Sequence, residues 1–193
     1  FERTFAHALA LISDVQEHLD DARPSLAAAL RHAPDDASRA MVHVQAARLE
    51  GRQGRVSAAI AAAGRAERLV GPHPAIDRIR GDAYAQVWRW EEAARAYARA
   101  AEGAPGDESR WVDLARALGS AGRDDEALVA AETGLRLLPE SAGLLRSRYL
   151  ALEAREDAGA DAAREGYLAH RVPDALSALR LECGHRSEAC AAE

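Results

Sequence analysis

Apolar and polar positions alternate along this chain with the rhythm of short helices. In residues 108 to 121, Trp111, Leu114, Ala115 and Leu118 fall at i, i+3, i+4 and i+7, the spacing that turns one helical stripe toward a core. Gly122 interrupts that pattern, and a second segment opens with Asp125 and Glu126 and stops at Pro139. Acids in a first turn favour the positive end of the helix dipole, and proline cannot continue the hydrogen-bond ladder. The spacing therefore predicts a helix, a short turn and a second helix closed by proline.

The phrase returns. "RWEEAARAYARAAEGAPGD" (89 to 107) superposes on "RDDEALVAAETGLRLLPES" (123 to 141), with Arg89 on Arg123, Ala93 on Ala127 and Pro105 on Pro139. The offset, 139 − 105, is 34, and a further step of 34 reaches Pro173. Upstream, "LDDARPSLAAALRHAPDD" (19 to 36) repeats the phrase with Ala22, Leu26, Ala29 and Pro34. The distance from Pro34 to Pro105 is 71, three more than two periods, and the extra residues are assigned to a longer turn near "EGRQGR" (50 to 55). A fixed period of this length marks a stack of supersecondary units.

With Trp111, Leu114, Ala127 and Pro139 in one unit, and Gly81, Tyr84, Ala93, Tyr97 and Pro105 in another, the chain resembles the tetratricopeptide repeat family. The resemblance divides it into 3–36, a degenerate first repeat; 37–73, with the longer turn; 74–107; 108–141; 142–175, again degenerate; and 176–193, a capping helix with a cysteine-bearing tail. Asp77 and Arg80 stand where the family usually has Trp and Leu, and Asp161 and Glu165 where it has Ala and an aromatic. The fold class implied is all-α, a right-handed superhelical solenoid of stacked antiparallel helix pairs, whose first helices line a concave surface. Trp90 falls where the family buries an aromatic; Trp88 is open between core packing and anchoring a partner.

In that family the concave surface binds a peptide or a partner's helix. The resemblance implies a non-catalytic protein-protein interaction scaffold, expected to be part of a larger bacterial protein. The alternative is a regulatory or substrate-delivery region of an enzyme or signalling protein whose catalytic part lies elsewhere. Carrying the family's groove positions through the phased prolines selects Arg48, Arg78, Asp82, Val112, Arg116, Arg146, Leu150 and Glu153, with Met41 and Gln45 beside them and His7, Leu11 and Asp14 upstream. Four of these are arginines, whose planar guanidinium suits a carboxylate, so an acidic partner is one reading. The other is an ordinary solvated face neutralised by its own acids. With no Lys and no Asn in the chain, the family's Lys/Asn clamp for a C-terminal carboxylate cannot be built in its usual form.

Composition narrows the classes. Asp and Glu number 31 against 25 Lys and Arg, a net charge of −6, the opposite of what a nucleic-acid binder carries. No apolar run approaches the ~20 residues that cross a bilayer, so no membrane insertion is expected. The chain begins at Phe1, and a segment upstream is expected. Self-association through the open ends of the solenoid is a further expectation.

Candidate chemistry is sparse, and neither catalytic residues nor a cofactor are assigned. The two cysteines, Cys183 and Cys190, lie in "ECGHRSEAC". On one continuous helix their Cα atoms would stand ~10.5 Å apart, beyond the ~7 Å reach of a disulfide. A bridge requires the helix to end at Gly184, and it would place the protein in a periplasmic or exported setting; reduced thiols would suit the cytoplasm. Cys183, His185 and Cys190 lack a fourth ligand and zinc-like spacing, so no metal is assigned. Glu91 and Glu92 read as helix-end charges rather than an acid/base pair.

Overall fold

The computed structural model describes residues 22–171, which form helices joined by short turns. In chain order these are α1 (Ala22–His32), α2 (Asp36–Arg52), α3 (Val56–Val70), α4 (Pro74–Ala85), α5 (Trp90–Gly103), α6 (Glu108–Ser120), α7 (Asp124–Leu137), α8 (Ala142–Ala154) and α9 (Ala160–Arg171). Each packs on the next, and α2 also touches α4, as α6 touches α8. The arrangement is an all-α helical solenoid of antiparallel pairs: α2/α3, α4/α5, α6/α7 and α8/α9.

The two helices of a pair start by different means. Three of the leading helices have side-chain caps that accept from the first-turn amides: Asp35 from Ser38 N at 2.7 Å, Asp107 from Ser109 N at 3.1 Å, and Ser141 from Leu144 N at 3.0 Å. The fourth, α4, opens with Pro74 while His73 Nδ1 accepts from Ala75 N at 3.2 Å. Each such cap satisfies a first-turn amide that the helix itself leaves without a partner. The trailing helices α3, α5 and α7 have Arg55, Arg89 and Arg123 at the same point, with no side-chain cap. Arg89 and Arg123 instead pair with Glu92 and Glu126 one turn on.

The leading helix of each pair ends in one repeated backbone device. A residue of left-handed φ follows its last turn: Gly54 (70°), Trp88 (62°), Gly122 (73°) and Glu156 (53°). In every case that residue and the next donate backward in the same pattern, as Gly122 N does to Gly119 O (3.0 Å) and Arg123 N to Leu118 O (2.9 Å). This double bond pattern satisfies carbonyls that the helix end would leave open. The four positions are spaced by 34 residues throughout.

That regularity corrects the expected longer turn near residues 50 to 55. Only residues 53–55 separate α2 from α3, and the 34-residue phase already holds at Gly54. The extra length lies in α2, which has 17 residues where α4 has 12. α2 begins two residues after Pro34, while α6 and α8 begin three after Pro105 and Pro139. The Asp35 cap, reinforced by the Asp36–Arg39 pair at 2.8 Å, starts α2 one turn early.

Small side chains let the layers approach closely. One buried cluster joins α2, α3 and α4 through Ala40, Ala47, Ala62, Ala63, Ala66, Ile76 and Ile79. A second runs from α5 to α8 through Ala93, Tyr97, Ala101, Trp111, Leu114, Leu118, Ala131 and Leu144. Between them lies an ionic seam. Arg80 reaches Glu67 of α3 at 2.6 Å, and buried Asp77 receives Arg99 Nε of α5 at 3.0 Å and Arg80 Nη1 at 3.5 Å. Asp77 and Arg80, the two departures from the family pattern, thus replace apolar contacts with charge pairs in a helix that still forms.

Candidate partner-binding groove

The leading helices α2, α4 and α6, with the trailing helix α5, bring side chains around one open depression of about 770 Å³. The i, i+4 spacing of a helix sets the lining: Arg48 and Arg52 from α2, then Arg78 and Asp82 from α4, with Gln86 just beyond its end. Gln45 completes the α2 row, Trp90 and Tyr97 come from α5, and Arg116 comes from α6.

The floor is held rigidly. Gly81 lets the Tyr97 ring lie against α4, since a Cβ there would fall 2.5 Å from Tyr97 Cε1. The Tyr97 hydroxyl donates to Asp82 Oδ1 at 2.7 Å. Burial and the facing Asp82 carboxylate push the phenol far above its ordinary range, so it remains a neutral donor. Asp82 is thereby engaged from below.

Two of the arginines are positioned by one buried carboxylate. Asp113 of α6 accepts from Arg78 Nε at 3.0 Å and from Arg116 Nη2 at 2.8 Å. Burial pushes Asp113 up from the usual carboxylate value, against the pull of Arg116 and Arg78. Arg78 spans the space between α4 and α6, and its terminal nitrogens donate to nothing within the described residues. Arg48 and Arg52 form no ion pair among the described residues, and both are exposed.

Of the groove positions selected from the sequence, Gln45, Arg48, Arg78, Asp82 and Arg116 line this depression. Val112, Arg146, Leu150 and Glu153 lie further along, on α6 and α8, outside its lining. There Glu153 accepts from the Tyr149 hydroxyl at 2.6 Å, and Val112 meets α8 at Gly143. Arg52 and Gln86 were missed although each lies four residues beyond a selected position, Arg48 and Asp82. Trp90 is half-buried, at the edge of the depression. His7, Leu11, Asp14, Cys183 and Cys190, and the tail 176–193, lie outside the described residues.

Residues 4–118, more than half of the chain, match the family described as the tetratricopeptide repeat-like domain. The chain belongs to that family. Among solved structures, this tetratricopeptide repeat-like chain is similar to the crystal structure of MamA at 18% identity, covering 90% of this chain and 92% of that one with a TM-score of 0.66. MamA 41-end from Desulfovibrio magneticus RS-1 aligns at 14% identity, 87% and 93% coverage and a TM-score of 0.68. YrrB, described as a TPR protein with an unusual peptide-binding site, aligns at 20% identity, 93% and 90% coverage and a TM-score of 0.68. At these identities the likeness concerns the fold. No curated protein matches the sequence.

A tetratricopeptide repeat-like fold is a scaffold for protein or peptide partners. No helix of the described residues is long and apolar enough to cross a membrane.

Proposed function

We propose that this tetratricopeptide repeat-like chain is a non-catalytic interaction scaffold that holds an acidic segment of a partner protein in its concave depression. The observation that carries the reading is local charge inversion. Arg48, Arg52, Arg78 and Arg116 outnumber the carboxylates beside them, Asp82 in the lining and Asp113 paired with Arg78 and Arg116, in a chain whose net charge is −6. Arg48 and Arg52 are free to bind, whereas Arg78 and Arg116 are preset by Asp113. A preset guanidinium loses less freedom on binding than a wandering one. Arg146 and Leu150 of α8 extend the same surface beyond the depression.

The test is a fluorescence-anisotropy titration with a labelled peptide of six glutamates. Charged hydrogen bonds of ~1.5–3 kcal/mol each lead us to expect measurable binding that weakens as salt rises. Arg48→Glu with Arg116→Glu should reduce affinity at least about tenfold, the equivalent of 1.4 kcal/mol, with an unchanged helical circular dichroism spectrum. Equal affinity for the double variant and the wild type would remove the acidic-groove reading.

A further inference from the structure

Trp88 occupies a position that the fold assigns to glycine. Its φ of 62° is the left-handed value that Gly54 and Gly122 adopt at the equivalent turns, and a bulky L-residue is disfavoured there by contact between Cβ and the backbone. Trp88 N still donates to Ala85 O at 3.1 Å, and Arg89 N to Tyr84 O at 3.1 Å, so the turn is built as in its siblings. Core packing does not account for the indole. At 78% exposure Trp88 is the most exposed large hydrophobic side chain among the described residues.

Its visible aromatic neighbour is Trp90. The two rings meet edge to face, with centroids 5.8 Å apart and planes at 83°. Trp90 lines the arginine-rich depression, so the Trp88 ring adjoins that site. A rigid aromatic offers large contact area at small entropic cost, which is why such side chains anchor interfaces.

We propose that Trp88 and Trp90 form an aromatic ledge that takes an apolar side chain of the same acidic segment held by Arg48 and Arg116. The inference rests on the acidic-groove reading and adds a second recognition element to it. The ligand class becomes an acidic protein segment carrying Phe or a similar residue near its charged run. The charge excess of the depression selects the acids, and the ledge beside it selects the apolar group. In an extended segment side chains i and i+2 share a face, so an apolar residue two positions beyond the last acid points to the same side as that acid.

The experiment uses labelled six-glutamate peptides that end in Ser-Phe or Ser-Ser, and a second pair with those residues at the amino end. One Phe peptide should bind the wild type five- to tenfold more tightly than its Ser counterpart. Trp88→Gly restores the residue type used at Gly54 and Gly122, so it preserves the turn. It should abolish the Phe preference while leaving the Ser peptide within twofold of wild type. Trp88→Tyr should keep most of the preference. Identical affinities for the Phe and Ser peptides on wild type, or a preference that survives Trp88→Gly, overturns the ledge and leaves the acidic groove standing. Loss of all peptide binding by wild type overturns both. A Trp88→Gly effect confined to self-association in sedimentation also overturns the ledge, because its occupant is then a second copy of the chain.

Discussion

Left-handed residues set the turns, and their chemistry is uneven along the array. Gly54 and Gly122 adopt φ of 70° and 73° without penalty, while Glu156 adopts 53° with a side chain attached. An L-residue in that region costs ~1–2 kcal/mol, and glycine returns ~0.5–1 kcal/mol of that through the greater freedom of the unfolded chain. Glu156 is exposed, so replacing it removes no buried contact. We therefore expect Glu156→Gly to stabilise the protein by about 0.5–1 kcal/mol and Gly122→Ala to destabilise it by about 1 kcal/mol. Urea unfolding midpoints at constant m-value measure both, and a Glu156→Gly variant less stable than wild type would contradict the account. Gly122 was legible as a breaker because it is a glycine. Trp88 and Glu156 were not, since nothing local in "QVWRW" or "AREDA" signals a left-handed turn; only the 34-residue spacing identifies them.

Helix pairs were readable from sequence because their signals are local: acids at starts, glycine and proline at ends, and apolar spacing of three and four. The extra turn of α2 was misplaced because "EGRQGR" looks like a loop, whereas Gly51 continues the helix beside Ala59 and Ala83. The ionic seam was invisible for a different reason. Arg80 meets Glu67 across 13 positions and Asp77 meets Arg99 across 22, so the pairs exist only once α3, α4 and α5 stack. The depression shows the same division: helical spacing points to Arg48 and Arg78, but the role of Asp113 in holding Arg78 and Arg116 needs the packed helices. The seam also has an energetic consequence. Glu67 and Arg80 side chains are 33% and 16% exposed, and the Arg80 hydrogen bond holds Glu67 below its ordinary pKa. Glu67→Ala leaves Arg80 with only the 3.5 Å contact to Asp77. Breaking a fully buried pair costs ~3–5 kcal/mol, and partial exposure reduces this to about 2 kcal/mol. Arg123→Ala removes pairs to Glu91 and Glu126, whose side chains are 52% and 57% exposed, and should cost less than Glu67→Ala because solvent screens exposed pairs. The order of the two denaturation midpoints is the test, and a reversed order would show that the seam contributes less than the surface pairs.

Across the whole molecule, two apolar clusters meet at a charged boundary, and the arginine-rich depression opens beside it, lined by α2, α4, α5 and α6. Stability should therefore follow the protonation of a few placed groups. Hydrogen bonds from Arg80 and Ser109 lower Glu67 and Asp107, and those from Ser38, Arg89 and Arg123 lower Asp35, Glu92 and Glu126. Such groups stabilise the fold above their unfolded values, 4.5 for Glu and 3.8 for Asp, and lose that contribution as pH falls through the lowered folded values. His43 is lowered by burial and by Arg65 and Arg68, so the unfolded chain takes up its proton first, starting near 6.5. That protonation also disfavours the fold. Asp113 acts oppositely: burial raises its pKa, so the folded state binds its proton more readily and gains stability as pH falls toward 3.8. The expected melting temperature declines gently below pH 6.5 and steeply below about pH 4.5. His43→Gln should remove the gentle phase, and Asp113→Asn should steepen the acid phase by deleting its opposing proton uptake. Thermal unfolding followed by circular dichroism from pH 8 to pH 3.5 measures all three curves. A wild-type melting temperature independent of pH would sink this linkage account, and an acid phase softened by Asp113→Asn would reverse the sign assigned to the buried carboxylate that positions Arg78 and Arg116.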